Sequence, residues 1–396
     1  MTLTRIENTF DIYEKRKNTD SIKFDFNSKM GKPEGLIPLW VADMDFMSPI
    51  EVRQALQERI EHGIFGYSDT NDTYLDLVKQ WFYDAFNYKV EREWIVETPG
   101  IVFALSTAIK AFTENGDAIL IQPPVYPPFS ECISKNERRI VVNPLKYDNG
   151  KYTIDYTDFE HKIINESVKM FILCSPHNPV GRVWTIEELN KMADICAKHH
   201  VLILSDEIHA DFVYPPLKHH MLASVAPQMQ EHIITCTSPS KTFNLAGLQI
   251  SNVFISNPKL KARFEAELEK TGFHTVGIMG IIACKAAYSH GRPWLNDLLI
   301  VIKENIDYVR TELAVKCPKI IITDIEGTYL LWLDFNAYNL PPSELERIIQ
   351  QDAKLWLNSG TTFGFGGEGF QRLNVATQRY VLEQAVAQLV EAFKDL

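Results

Sequence analysis

Lys241 stands in TSPSKTF, straight after an apolar run and flanked by Ser238 and Ser240. Four other polar or aromatic residues occupy the same kind of place. Asp206 ends VLILSD and His209 follows it, Asn178 follows KMFILCS, and Tyr126 follows DAILIQ. An amine can form a Schiff base or carry a proton, and a carboxylate can hold a cationic nitrogen. A carboxamide can donate to an oxyanion, and a phenol ring can stack on a planar one. Asn178, Asp206 and Lys241 come in that order, 28 and 35 residues apart.

The elements that must position these residues are short apolar runs alternating with amphipathic stretches, the pattern of βαβ units and a mainly parallel sheet. Strands are predicted over 117–122, 139–145, 169–175, 201–206, 232–238 and 252–256. Between the third and fourth, Thr185 and Glu188 form the T-x-x-E capping box that starts a helix. In such sheets ligands gather past the carboxyl ends of the strands, which is where the unusual side chains cluster. The set suits a planar aldehyde cofactor whose ring nitrogen needs a counter-ion, and pyridoxal phosphate meets each requirement. Lys241 would form the Schiff base, Asp206 would keep the ring nitrogen protonated, Asn178 would donate to the ring oxygen and Tyr126 would stack on the ring. Ser238, Ser240 and the amides of Ile101 and Val102, in GIVFAL where a helix begins, would take the phosphate.

Each residue also has a plainer reading. Asp206 suits a helix cap, Asn178 in HNPVG suits a turn, Tyr126 between prolines suits loop packing, and His209 suits a satisfied buried histidine. GFGGEG at 364–369 matches G-x-G-x-x-G but precedes a strand pattern rather than opening a helix, so it reads as a loop that aims Arg372. DEIHAD and the pairs His199-His200 and His219-His220 lack the spacing of a metal site.

With 396 residues, 45% of them hydrophobic, the chain is long enough for two domains. We expect a large domain over 46–290 with a mostly parallel central sheet, and a smaller α+β domain from 1–45 and 291–396, where the pattern changes after Pro293. The net charge of −11 and the lack of a dense basic run argue against nucleic acid or an anionic membrane as partner. No run approaches a membrane span, and MTLTRIENTFDIYEKRKN does not read as a secretory signal. The cysteines at 132, 174, 196, 236, 284 and 317 are scattered and lie mostly in apolar segments, so they read as reduced thiols of a cytoplasmic protein.

From LWVADMDF (39–46) through FGYSD, TPGIVFAL, PPVYPPF, SPHNPVGRVW, SDEIHADF and SPSKTFNLAGLQ to RLNVAT (372–377), the sequence resembles the fold-type I pyridoxal-phosphate enzymes. Within them it resembles the cystathionine β-lyase, or carbon–sulfur lyase, group of MalY and PatB. The resemblance implies a PLP-dependent aminotransferase-like fold and a homodimer with an amino-acid substrate. It makes Arg372 the ligand of the substrate α-carboxylate, and makes Tyr67 a residue reaching the neighbouring subunit's phosphate. It implies α,β-elimination of cystathionine or a related cysteine S-conjugate to pyruvate, ammonia and a thiol. Where many aminotransferases have arginine, eight residues after the lysine, stands Gln249, and His209 replaces a frequent tyrosine. Both changes are shared with the lyase branch. A transaminase on the same fold, and a regulatory protein retaining it, are the alternatives. Trp40, Asp43 and the loop near Tyr67 are candidate wall residues.

Overall fold

A computed structural model describes residues 10–12 and 14–396, so most of the stretch read for a leader lies outside the described residues. Its central sheet has seven strands, in the order Ile95–Thr98, Ser251–Ile255, Ile233–Thr237, Leu202–Asp206, Val168–Cys174, Ala118–Ile121 and Arg139–Val142. The six expected strands are all present, with ends shifted by at most three residues. The last five in spatial order run parallel. Ser251–Ile255 is antiparallel to both neighbours, and Ile95–Thr98 is an edge strand that the apolar runs did not disclose.

Buried on both faces, these strands are nearly continuous apolar runs. Alternate side chains feed opposite sides of the sheet. Ile119, Ile121, Met170, Ile172 and Leu204 pack with Ile101, Leu105 and Ile109 of the helix Ile101–Phe112. Leu120, Phe171, Leu173 and Ile203 join Phe159, Leu189 and Met192 on the other face. Leu189 and Met192 belong to the helix Ile186–Lys198, whose capping box is formed as expected. Thr185 accepts from the Glu188 amide, and Glu188 accepts from the Thr185 amide.

A second, antiparallel sheet is ordered Ile321–Ile322, Leu330–Asp334, Phe370–Asn374 and Asn358–Ser359. Its register sets Arg372 between Trp332 and Asn358. Pro293 lies in the first turn of the helix Arg292–Lys316, where a missing amide costs no hydrogen bond. Among the described residues no helix is long and apolar enough to cross a membrane.

Candidate active site

The parallel strands end at one edge, and the register sets Cys174, Asp206 and Cys236 side by side across three of them. Above this row is a cavity of about 200 Å³. Asp206, Cys174 and Asn178 line it from the strand ends, Tyr126 and His209 from the loops that follow. Ser240 and Lys241 line it from the turn after Ile233–Thr237, and Ile101 with Val102 from the start of a helix.

Lys241 sits on a one-turn helix, Pro239–Thr242, capped by Ser238. Its Nζ donates to the Ala42 carbonyl at 2.6 Å, and the Tyr329 hydroxyl donates to the same oxygen at 2.9 Å. Burial presses the amine down to about 8 from its usual range, with nearby Asp43 pulling upward. Asp206 is displaced the other way, to about 7, again by burial. The Ile208 amide, 3.2 Å from Oδ1, and the charge of Lys241 offset part of that cost. An acid and an amine thus share one buried site, each shifted towards its neutral form.

Arg372 is 3% exposed. Its Nη1 donates to Asn178 Oδ1 at 3.0 Å and its Nη2 to the Trp40 carbonyl at 2.7 Å, while Nε is buried without a hydrogen bond. Burial lowers even this guanidinium, to about 10. His209 is held well below its usual range by burial and by the charges of Lys241 and Arg372, and its Nδ1 has no hydrogen-bond partner. Burial also pushes the Tyr126 phenol up to about 12, so it stays protonated at neutral pH.

At the far wall, Gly100 takes φ +134°, a conformation few other residues adopt, and caps the helix that begins at Ile101. The first-turn amides of that helix have no partner within it, which makes its end an anion site. Ser240 lines the same cavity. Ser238 does not line the cavity: its hydroxyl accepts from the Ser240 amide at 3.0 Å and donates to the Ile250 carbonyl at 2.6 Å. Tyr67 is also absent from this chain's cavity and is fully exposed. Gln249 lines the cavity at φ +50°.

Trp40 stacks on Trp356 at 4.4 Å, and Asp43 is gripped by Arg16 at 2.5 Å. Both belong to the 40–46 segment that covers Lys241. The GFGGEG glycines form a loop: Gly364, Gly366 and Gly369 have positive φ, and Gly360 and Gly367 approach too closely for a Cβ on either. This loop leads into the strand that carries Arg372. His199 faces Glu160 and His219 faces Glu207, so these histidines are spent on carboxylates.

Ala42, Cys174, Ile250 and Tyr329 were not singled out from sequence. LWVADMDF marked the region of Ala42, but Cys174 ends an apolar strand, a pattern that does not separate a cavity wall from a core, and Tyr329, which meets the site only through the Ala42 carbonyl, precedes another.

The fold and this strand-end site define a recognised class. The chain belongs to the aminotransferase class I and II family, whose model matches residues 34–389. Among curated relatives it is 41% identical to cystathionine beta-lyase PatB of Bacillus subtilis, covering 97% of this chain and 99% of that one. It is 31% identical to the protein MalY of Escherichia coli, over 96% and 97%. Among solved structures, cystalysin from Treponema denticola, which contains pyridoxal 5'-phosphate, superposes with a TM-score of 0.94 at 36% identity, over 98% of each chain.

Proposed function

We propose that the protein is a pyridoxal-phosphate-dependent carbon–sulfur β-lyase, which converts cystathionine or a related cysteine S-conjugate to pyruvate, ammonia and a thiol. The observation that carries this reading is the meeting of Lys241, Asp206 and Asn178 around one cavity, with Arg372 bonded to Asn178 behind it. The relatives named above support it. The donor set fits the cofactor. A buried acid with few donors suits a cationic ring nitrogen, free helix amides with Ser240 suit a phosphate, and Tyr126 suits a ring face. Lys241 would hold the aldehyde carbon, and Ile101, Val102 and His209 complete the wall.

When bound, pyridoxal phosphate supplies an electron sink conjugated with the substrate Cα, so that the Cα proton can leave and the Cβ–S bond can break. Arg372 takes the α-carboxylate as a two-point pair, exchanging its bond to the Trp40 carbonyl for it. This orients the Cα–H bond towards Lys241. The amine, easily neutral because burial lowers it, accepts that proton at Nζ. Asp206 holds the proton at the ring nitrogen. The thiolate departs with the electron pair of the Cβ–S bond, and water hydrolyses the remaining three-carbon enamine. In a transaminase the proton on Nζ would instead go to the cofactor's carbon, which is the second reading, and the family model is common to both.

The deciding experiment mixes the protein with cystathionine and no keto acid, and follows pyruvate and free thiol. Equal amounts of both are expected. Product only after a keto acid is added would establish the transaminase instead.

We further propose a homodimer, a cytoplasmic location and the division into 46–290 and 1–45 with 291–396. Six free, buried cysteines suit a reducing compartment. Tyr67 lies in a stretch that also exposes Ile64 and Phe65, an apolar surface suited to a second copy of the chain. If the Tyr67 hydroxyl serves the neighbour's phosphate, Tyr67→Phe weakens cofactor binding about tenfold, the value of one hydrogen bond to a charged group. Titrating the cofactor-free variant checks this, with mass by light scattering unchanged at that of a dimer.

A further inference from the structure

The helix that carries Lys241 has only four residues, too few to hold its own position, because a single turn is not stable alone. Its place is set from outside. Ser238 pins its first turn to the Ile250 carbonyl. At its other end the Thr242 hydroxyl, next to Lys241, donates to Asp211 Oδ2 at 2.8 Å. Thr242 is 1% exposed and the Asp211 side chain is nine-tenths buried. Asp211 Oδ1 makes no hydrogen bond. The Arg292 guanidinium lies 3.8 Å from it and sits 3.6 Å over the Trp81 ring. Asp211 thus meets the lysine helix on one side and, on the other, a guanidinium from the helix Arg292–Lys316 that stacks on Trp81 of the helix Asp72–Phe86.

Asp211 also belongs to the strand-end turn that bears Asp206 and His209. That turn is closed by Glu207 N–H to the Cys236 carbonyl, Ala210 N–H to Glu207 and Phe212 N–H to His209. One rigid segment thus presents Asp206 and His209 to the cavity and grips the residue after Lys241 from behind.

We propose that Asp211 is a positioning residue, which through the Thr242 hydroxyl keeps the Lys241 amine in register with Asp206. The inference rests on the reading of Lys241 as the cofactor-bearing, proton-transferring amine. That amine must leave and return to the same point in every turnover. A displacement of about 1 Å at such a group costs up to a hundredfold in rate, and the Thr242–Asp211 bond ties the residue directly after Lys241 to the turn that bears Asp206.

The test compares Thr242→Val, Thr242→Ser, Asp211→Ala and the double variant Thr242→Val with Asp211→Ala. Thr242→Val is expected to lower kcat about tenfold or more, with KM within twofold and the melting temperature near that of the wild type. Thr242→Ser, which keeps the hydroxyl, restores kcat to within about threefold. The double variant loses no more than Asp211→Ala alone, because both remove one interaction. The rate at which cofactor-free protein takes up pyridoxal phosphate, read by absorbance, falls in parallel. This second readout does not require elimination to occur, so a protein that binds the cofactor but releases no pyruvate would refute the lyase reading and still decide this one. Full kcat and uptake in Thr242→Val, additive losses in the double variant, or a fall in melting temperature that accounts for the whole loss would each overturn the proposal.

Discussion

Lys241→Ala is expected to lower pyruvate formation at least about 10⁴-fold, because it removes both the cofactor's covalent anchor and the group that takes the Cα proton. Stability is expected to move the other way or not at all. In the cofactor-free protein the Lys241 amine is pressed from its ordinary 10.5 to about 8, chiefly by burial. Its charged form is therefore the costly one. Below pH 8 the folded protein bears the whole cost, and wild-type stability rises as the pH climbs from about 8 towards 10.5. Alanine never bears it, although it forfeits the bond to the Ala42 carbonyl and the packing of the lysine stem. The variant should melt at or above the wild type at pH 7 and lose that advantage above pH 10. An inactive variant that melts normally fixes the role of Lys241, and one that retains a tenth of the activity refutes it.

The positions of the strands were legible because a strand buried on both faces must be apolar throughout, and such runs are rare outside a parallel sheet. Their mainly parallel direction was legible too, but the one reversed strand was not. Ser251–Ile255 is buried throughout like its neighbours yet antiparallel, since the connection from Ile233–Thr237 is taken up by the one-turn helix of Lys241 and the turn Ala246–Leu248 and holds no crossover helix. Ile95–Thr98 was missed because it is four residues long and bears Glu97 and Thr98 beside the TPG turn.

Asp206, Asn178 and Lys241 could be read because each ends or follows a strand at the carboxyl edge, whereas Arg372 lies within a strand of the second sheet and came only from the resemblance. What failed was the fate of individual hydroxyls. Ser238 and Ser240 look equivalent in TSPSKTF, but Ser238 sits at the cap position, where the Ile250 carbonyl and the Ser240 amide consume it. That carbonyl lies just before the antiparallel strand Ser251–Ile255, whose direction the sequence hid. Asp43 likewise read as a possible wall residue. Arg16, in a segment with no strand or long helix to announce it, turns it into an anchor for the residues over Lys241.

Asp206→Asn separates what the site costs the fold from what it gives the reaction. Burial raises the Asp206 carboxyl from 3.8 to about 7 in the cofactor-free protein. The folded state therefore holds a proton there that the unfolded chain has released. The stability this brings is full below pH 4 and is lost as the pH rises through 7. Asparagine has the same shape and no charge to bury. The cofactor-free variant should match the wild type near pH 4 and exceed it at pH 8, by on the order of 2 to 4 kcal/mol at most, or several degrees in melting temperature.

Cofactor should reverse the order. A protonated ring nitrogen beside Asp206 turns a buried lone charge into a buried pair, so the wild type gains more from binding than the variant does. Without the carboxylate that nitrogen loses its proton and the ring its pull on Cα electrons, so kcat is expected to fall about 10³-fold. Melting curves at pH 4.5 and 8, each with and without pyridoxal phosphate, test both halves. A variant no more stable than the wild type at pH 8 without cofactor would mean that Asp206 is not burdened by its burial. Equal stabilisation of the two proteins by the cofactor would mean that Asp206 does not face the ring nitrogen.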